Sequence, residues 1–233
     1  MKCFCNDGTH SASHTTEKCF KDLWLFESFT EAQLQELKTI GQKKTLQTGD
    51  PVFLQGAPAH DLFLIKSGRI KLCKVHEDGA EFTLDFRKAG DVIGENMFAG
   101  DDDYPLSAWA MEDTVTCGFD RHGFNSLVMK HPDIGLSVIQ SMSAMMSSMT
   151  GRLESMSENS LEKRLYGVLT HVAKEHGTRV DNGLALNFPL THEDLAFLVG
   201  AHRVSITKAM QSLVRHGKII KNGKKLTLIQ PFS

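Results

Sequence analysis

Nowhere in the 233 residues does an apolar run approach the ~20 that a membrane-spanning helix needs, so no spanning helix is expected. The stretch from Met1 to Cys19 is polar and rich in His, Ser and Thr, and it lacks the apolar centre of a signal peptide. Cysteine is scarce. The chain has five, an odd number, which argues against a disulfide framework and for a reducing compartment. A cytoplasmic location is therefore expected. Signatures of turnover are missing too: there is no nucleophile elbow, no phosphate loop and no His-Glu-x-x-His, and Gly177 and Gly183 stand outside any phosphate fingerprint. An enzyme is not expected. Nor does any unit of 20–50 residues repeat, which excludes a solenoid.

What is present is an ordinary globular composition, 41% hydrophobic and 23% charged, with an uneven distribution of charge. The net charge of −2 hides the asymmetry. From Thr191 to Ser233 seven basic residues face two acidic ones, so this end carries +5 and the rest carries −7. That is the electrostatic footprint of a nucleic-acid-binding module joined to one that does not bind nucleic acid.

Along the chain, Trp24, Leu25, Phe26 and Phe29 lead into Thr30-Glu31-Ala32-Gln33, a capping box that predicts a short helix. From about Lys43 to Asp120, short β-rich runs (Val52–Leu54, Leu62–Ile65, Ile70–Val75, Phe82–Phe86) alternate with glycine-bearing turns, as in a small barrel or β-roll. After Pro132 the period changes. Val138, Met142, Met145, Met149, Leu153 and Met156 predict a seam on a helix of roughly 25 residues, suited to pairing two subunits, with packing against the β-roll as the alternative. A break near Ser157–Ser160 reads as a hinge before the stripe Leu161, Leu165, Val168, Leu169 and Val172.

Thr191-His192-Glu193-Asp194 is a second capping box, opening a helix with Leu195, Leu198 and Val199 inside. Ala196, Gly200, Ile206 and Ala209 fall where a helix-turn-helix needs a small residue, a sharp turn and two seats for the second helix. Ile219–Ile229, with Asn222-Gly223 at its centre, predicts a basic hairpin, the wing of a winged helix. A fold of this kind without DNA binding, serving as a regulatory protein-interaction module, is the alternative that the charge disfavours.

Taken together, Phe63–Lys71, Asp78-Gly79, Ala89–Glu95, Ser107–Ala110 and the helix-turn-helix resemble the Crp/Fnr superfamily of transcription regulators, over residues 20–230. The resemblance implies an α+β chain: a flexible arm (1–19), a β-roll effector domain (20–130), a dimerisation helix (131–158) and a winged helix-turn-helix (159–233). It also implies a homodimer on an inverted-repeat operator in double-stranded DNA, contact with RNA polymerase, no membrane, and a small-molecule, gas or redox input tied to anaerobic metabolism.

The recognition helix is expected to begin near Arg203, with His202, Arg203, Val204, Ser205, Thr207 and Lys208 toward the major groove and Lys221, Lys224 and Lys225 on phosphates. Val204 stands where the family commonly has Glu. Valine packs on a thymine methyl but offers no acceptor to cytosine N4. The effector set expected in the β-roll is Gly94, Glu95, Met97, Phe98, Leu106, Ser107 and Trp109. Leu106 occupies the position of the arginine that neutralises a cyclic phosphate, and Asp101–Asp103 would repel one, so cAMP is disfavoured. Cys3, Cys5, Cys19 and Cys117 resemble the four ligands of a [4Fe–4S] cluster, although Cys3-x-Cys5 and a distant Cys19 depart from the family's close spacing. An uncharged ligand or haem is the third input, with His60, His76, His122 and His131 as axial candidates.

Overall fold

The computed structural model describes residues 29–77, 79–99, 103–223 and 225–229. The arm 1–19, with Cys3, Cys5 and Cys19, and the aromatic run Trp24–Phe26 lie outside the described residues. The chain divides into two compact units. One runs to Met142; the other runs from Ser143 onward and includes Phe82–Leu84.

The first unit opens with α1 (Glu31–Ile40), capped as its sequence predicts: the Thr30 hydroxyl accepts from the Gln33 amide, and the Gln33 side chain accepts from the Thr30 amide. Eight strands follow: β1 (Gln42–Leu46), β2 (Pro51–Phe53), β3 (Asp61–Ser67), β4 (Arg69–Val75), β5 (Glu81–Lys88), β6 (Val92–Ile93), β7 (Ser107–Ala110) and β8 (Thr114–Asp120). They form two four-stranded sheets, ordered β1-β8-β3-β6 and β2-β7-β4-β5. The turn from β3 to β4 admits only glycine. Gly68 has φ +87°, and a Cβ there would lie 2.2 Å from the Thr114 hydroxyl.

Strand alternation divides the core in two. Ile65, with Phe63 beside it, turns inward onto Val52, Phe53, Ile70, Leu72, Tyr104 and Ala108. Leu62 and Leu64 turn the other way and pack with Leu37, Met97, Cys117, Phe124 and Leu127. That second layer includes α2 (Arg121–Lys130), N-capped by Asp120, in a region read from sequence only as the end of the roll. α3 (Pro132–Met156) has the expected length, and its first turns enter the same layer through Ile134 and Val138.

In the second unit, α4 (Leu161–His176) buries Leu165, Val168, Leu169, Val172 and Ala173. Then come β9 (Thr178–Val180), β10 (Gly183–Leu186), α5 (His192–Val199), α6 (Arg203–Arg215), β11 (Ile219–Asn222) and β12 (Lys225–Ile229). The sheet order is β11-β12-β10-β9. β9 and β10 were not expected, although Asn182-Gly183 is the same kind of turn signal that marks the wing. In the wing itself Asn222 pairs with Lys225, so the turn begins at Gly223, one residue later than the Asn-Gly reading. The whole is an α+β chain with an N-terminal β-roll, a long helix and a C-terminal winged helix-turn-helix.

The helix-turn-helix corner rests on Gly200, whose φ of +63° and ψ of 51° place it in the left-handed region as the α5 C-cap. Gly200→Val should cost about 1–2 kcal/mol or more, because a β-branched residue is poorly tolerated there. Gly200→Asn should cost less. Urea unfolding of the two variants checks the order, and equal losses would place the constraint elsewhere.

Candidate DNA-binding face and sensor core

α6 is held by one face. Ile206, Ala209, Met210 and Leu213 are buried where α6 packs on α4 and α5, and the fully buried Ile206 and Leu213 contribute about 1.5–3 kcal/mol each. Its C-terminal end is also tethered to α4. The Ser212 hydroxyl donates to Glu162 at 2.5 Å, and His216 Nδ1 lies 3.1 Å from the same carboxylate. These hydrogen bonds, Ser212 first, hold the Glu162 carboxyl below its ordinary range.

The N-terminal part of α6 has an exposed side. His202 is the N-cap, and His202, Arg203, Val204 and Lys208 are exposed, with Val204 at 69%. An isolated valine that exposed has no packing role in this chain. Ser205 is half-buried. Thr207 is already engaged: its hydroxyl donates to the Arg203 carbonyl at 3.1 Å and lies 2.9 Å from His192 Nδ1. Of the wing lysines, Lys221 and Lys225 are exposed, and Lys224 lies outside the described residues.

His192 was not among the residues predicted to matter. It is the first residue of α5, and its Nε2 lies 3.5 Å from Lys221 Nζ on the wing. Partial burial, then the charges of Lys221 and Arg203, push its pKa below the ordinary histidine value. The signal in sequence was a histidine immediately after a helix cap inside a basic segment.

The predicted effector residues are divided between layers, with Gly94 and Leu106 beside the Phe63–Tyr104 cluster. Leu106 packs onto the roll interior, where Phe53 stacks on Tyr104 at 4.0 Å and lies 5.8 Å from Phe63. The Tyr104 hydroxyl donates to the Asp61 carbonyl at 2.8 Å, and burial raises its pKa. Trp109 alternates with the inward Ala108 and Ala110 and so takes the other face of β7. The Ser107 hydroxyl accepts from the Gln55 amide at 2.9 Å. Gly94 and Glu95 open a short 3-10 helix, Glu95–Phe98, which sends Met97 into the helix-side core and leaves Phe98 exposed beside Phe124.

Cys117 is buried, with its Sγ directed at the α1 C-cap, where a Cβ on Gly41 would lie 2.6 Å away. Among the described residues no three His, Cys, Asp or Glu side chains gather as a metal site. His131 has both ring nitrogens engaged, Nδ1 with Gln33 at 3.0 Å and Nε2 with Glu36 at 3.1 Å, which leaves none for an axial bond.

The predicted seam also shifts. Val138 is buried in the first unit's core, and Met145 is half-buried. Ile139 and Met146 are exposed instead, at 59% and 68%, along with Met142, Met149, Leu153 and Met156. Counted from Ile139, the spacing alternates three and four without a fault, which is a heptad seam. The predicted set shares Met142, Met149, Leu153 and Met156 with this spacing and differs at Val138 and Met145.

Among the described residues, no helix is long and apolar enough to cross a membrane. Two family models match the chain in order: a cyclic nucleotide-binding domain over residues 43–131 and a Crp-like helix-turn-helix domain over residues 163–231. An anaerobic regulatory protein of Bacillus subtilis is 25% identical over 184 residues, 78% of this chain and 77% of that protein. A CRP-like cAMP-activated global transcriptional regulator of Mycobacterium tuberculosis is 24% identical over 204 residues, 88% of this chain and 91% of that one. The solved structure of the c-di-GMP-responsive regulator CLP of Xanthomonas campestris shares the fold, with a TM-score of 0.72 at 18% identity over 87% of this chain and all of that one. Joined to a recognition helix with one face buried and the other open, these matches show that the chain belongs to the Crp/Fnr family of DNA-binding transcription regulators.

Proposed function

We propose that the protein is a homodimeric regulator that reads an inverted-repeat operator and responds to an input other than a cyclic nucleotide. The observation that carries the DNA reading is the exposed run His202–Val204 on a helix whose other face is locked by Ile206 and Leu213. Such a helix presents its N-terminal residues to base edges, and the Lys221 and Lys225 ammonium groups flank it as phosphate contacts. Two copies joined along Ile139, Met142, Met146, Met149, Leu153 and Met156 would read half-sites about one helical turn apart. Bound there, the dimer would act on RNA polymerase. A cytoplasmic location suits this role.

For the input, related regulators answer to different signals, cAMP in one and c-di-GMP in another, so the choice rests on this chain's residues. Leu106 brings no charge to a cyclic phosphate, and the stack of Phe53, Phe63 and Tyr104 fills the interior with apolar surface. An uncharged ligand or a redox signal fits better. Of the four cysteines that would hold an iron–sulfur cluster, Cys117 is the one described. It is buried in the layer that also holds Phe29, Leu34 and Leu37.

Three outcomes are expected. Met146→Glu with Met149→Glu should yield monomers in sedimentation and lose operator binding, whereas a double mutant that stays dimeric would move the interface off α3. Calorimetry with cAMP should show no binding at physiological concentrations; tight binding would overturn this reading and require another cation to serve in place of Leu106. Selection from a randomised half-site library should return A·T or T·A opposite Val204. Val204→Glu should shift that single position toward G·C by ~1–3 kcal/mol. An unchanged motif would show that Val204 does not face the bases.

A further inference from the structure

The hollow beside the recognition helix, about 620 Å³, is where three elements of the second unit meet. α5 supplies His192, α6 supplies Thr207 and Arg215, and β11 supplies Lys221. The imidazole lies within hydrogen-bond reach of both other elements, 2.9 Å from the Thr207 hydroxyl and 3.5 Å from Lys221 Nζ. The Thr207 hydroxyl proton is directed to the Arg203 carbonyl, so the hydroxyl accepts from His192, and Nδ1 carries the ring proton. Nε2 is then a lone-pair acceptor turned toward the Lys221 ammonium.

We propose that His192 is a positioning residue for DNA binding, which ties the recognition helix to the wing and takes up one proton when a backbone phosphate enters this hollow.

The proposal rests on the DNA reading above. Without DNA, the groups around the imidazole favour its neutral form. Lys221 faces it from the wing and Arg203 from α6, while Arg215 lines the same hollow. On its own helix Glu193 is exposed, and Asp194 is turned back onto the Thr191 cap. A phosphate inverts the balance. Lys221 moves its hydrogen bond to a phosphate oxygen and frees Nε2, which accepts a proton from solvent and donates it to the same phosphate as imidazolium. No bond other than N–H forms, and no redox partner is required.

The sign follows from linkage. The free protein holds the His192 pKa low and the complex raises it, so the complex binds more protons. The added affinity is fully present below the free-state pKa and is lost as pH rises through the bound-state pKa. Phosphate contacts do not depend on sequence, so a mixed-sequence duplex of about 30 bp at low salt is a sufficient probe. Anisotropy titrations at pH 6 and pH 8 should show wild type binding ~3–10-fold more tightly at pH 6, up to tenfold per proton and pH unit. His192→Gln keeps a hydrogen bond to Thr207 but cannot take a proton, and it should lose most of that difference. His192→Arg should bind tightly at both values. Histidine NMR should show the Nε2 resonance moving to the imidazolium position only with DNA present. A His192→Gln variant that keeps the wild-type pH dependence would overturn the proposal while leaving the DNA reading intact. A wild type that binds no duplex at either pH would overturn both.

Discussion

The exposure of Arg203, Val204 and Lys208 on α6 depends on the burial of a single helix face. Ile206, Ala209, Met210 and Leu213 fix the rotation of α6 about its own axis, and a turn of 100° is one residue. If the apolar seat loosened, Arg203 and Val204 would not stay on the solvent side, and the wing would have nothing to flank. α4 therefore matters to how α6 is presented. Its buried stripe supplies the floor, and Glu162 pins the far end of α6 through Ser212 and His216.

Much of this was legible in the sequence, for identifiable reasons. Both capping boxes, at Thr30 and Thr191, are local rules that operate within four residues, and both appear as read. The Gly200 corner and the start of α6 at Arg203 follow from steric needs that few residues meet. Failures occurred where a choice depends on a distant neighbour. Val138 and Ile139 are adjacent and both apolar, and only α2 and the roll behind it decide which is buried. The separation of the expected effector residues has the same cause. Met97, Phe98, Leu106 and Trp109 are close in sequence, but strand alternation and a short 3-10 helix send them to different places. Thr207 looked like a base reader because sequence does not show that its hydroxyl is already committed.

The two units also differ in how chemistry is distributed. The winged helix gathers polar groups around His192, Thr207 and Lys221, while the roll cluster around Phe53, Phe63 and Tyr104 is apolar and aromatic. A charged guest would lose hydration in the roll without finding a counter-charge on Leu106, whereas phosphate finds several cations beside α6.

The Phe53–Tyr104 stack sets a further condition on whatever enters the roll. The ring of Tyr104 is fixed at its far end by the backbone of Asp61, so a guest must displace an ordered group and not merely fill a void. The affinity measured for such a guest equals its intrinsic affinity reduced by the fraction of molecules already open. If one molecule in about a hundred were open, binding would appear about a hundredfold weaker than the contacts alone imply. The threshold concentration at which this regulator responds would then be written partly in its own aromatic packing, and a substitution that never touches the signal could retune it.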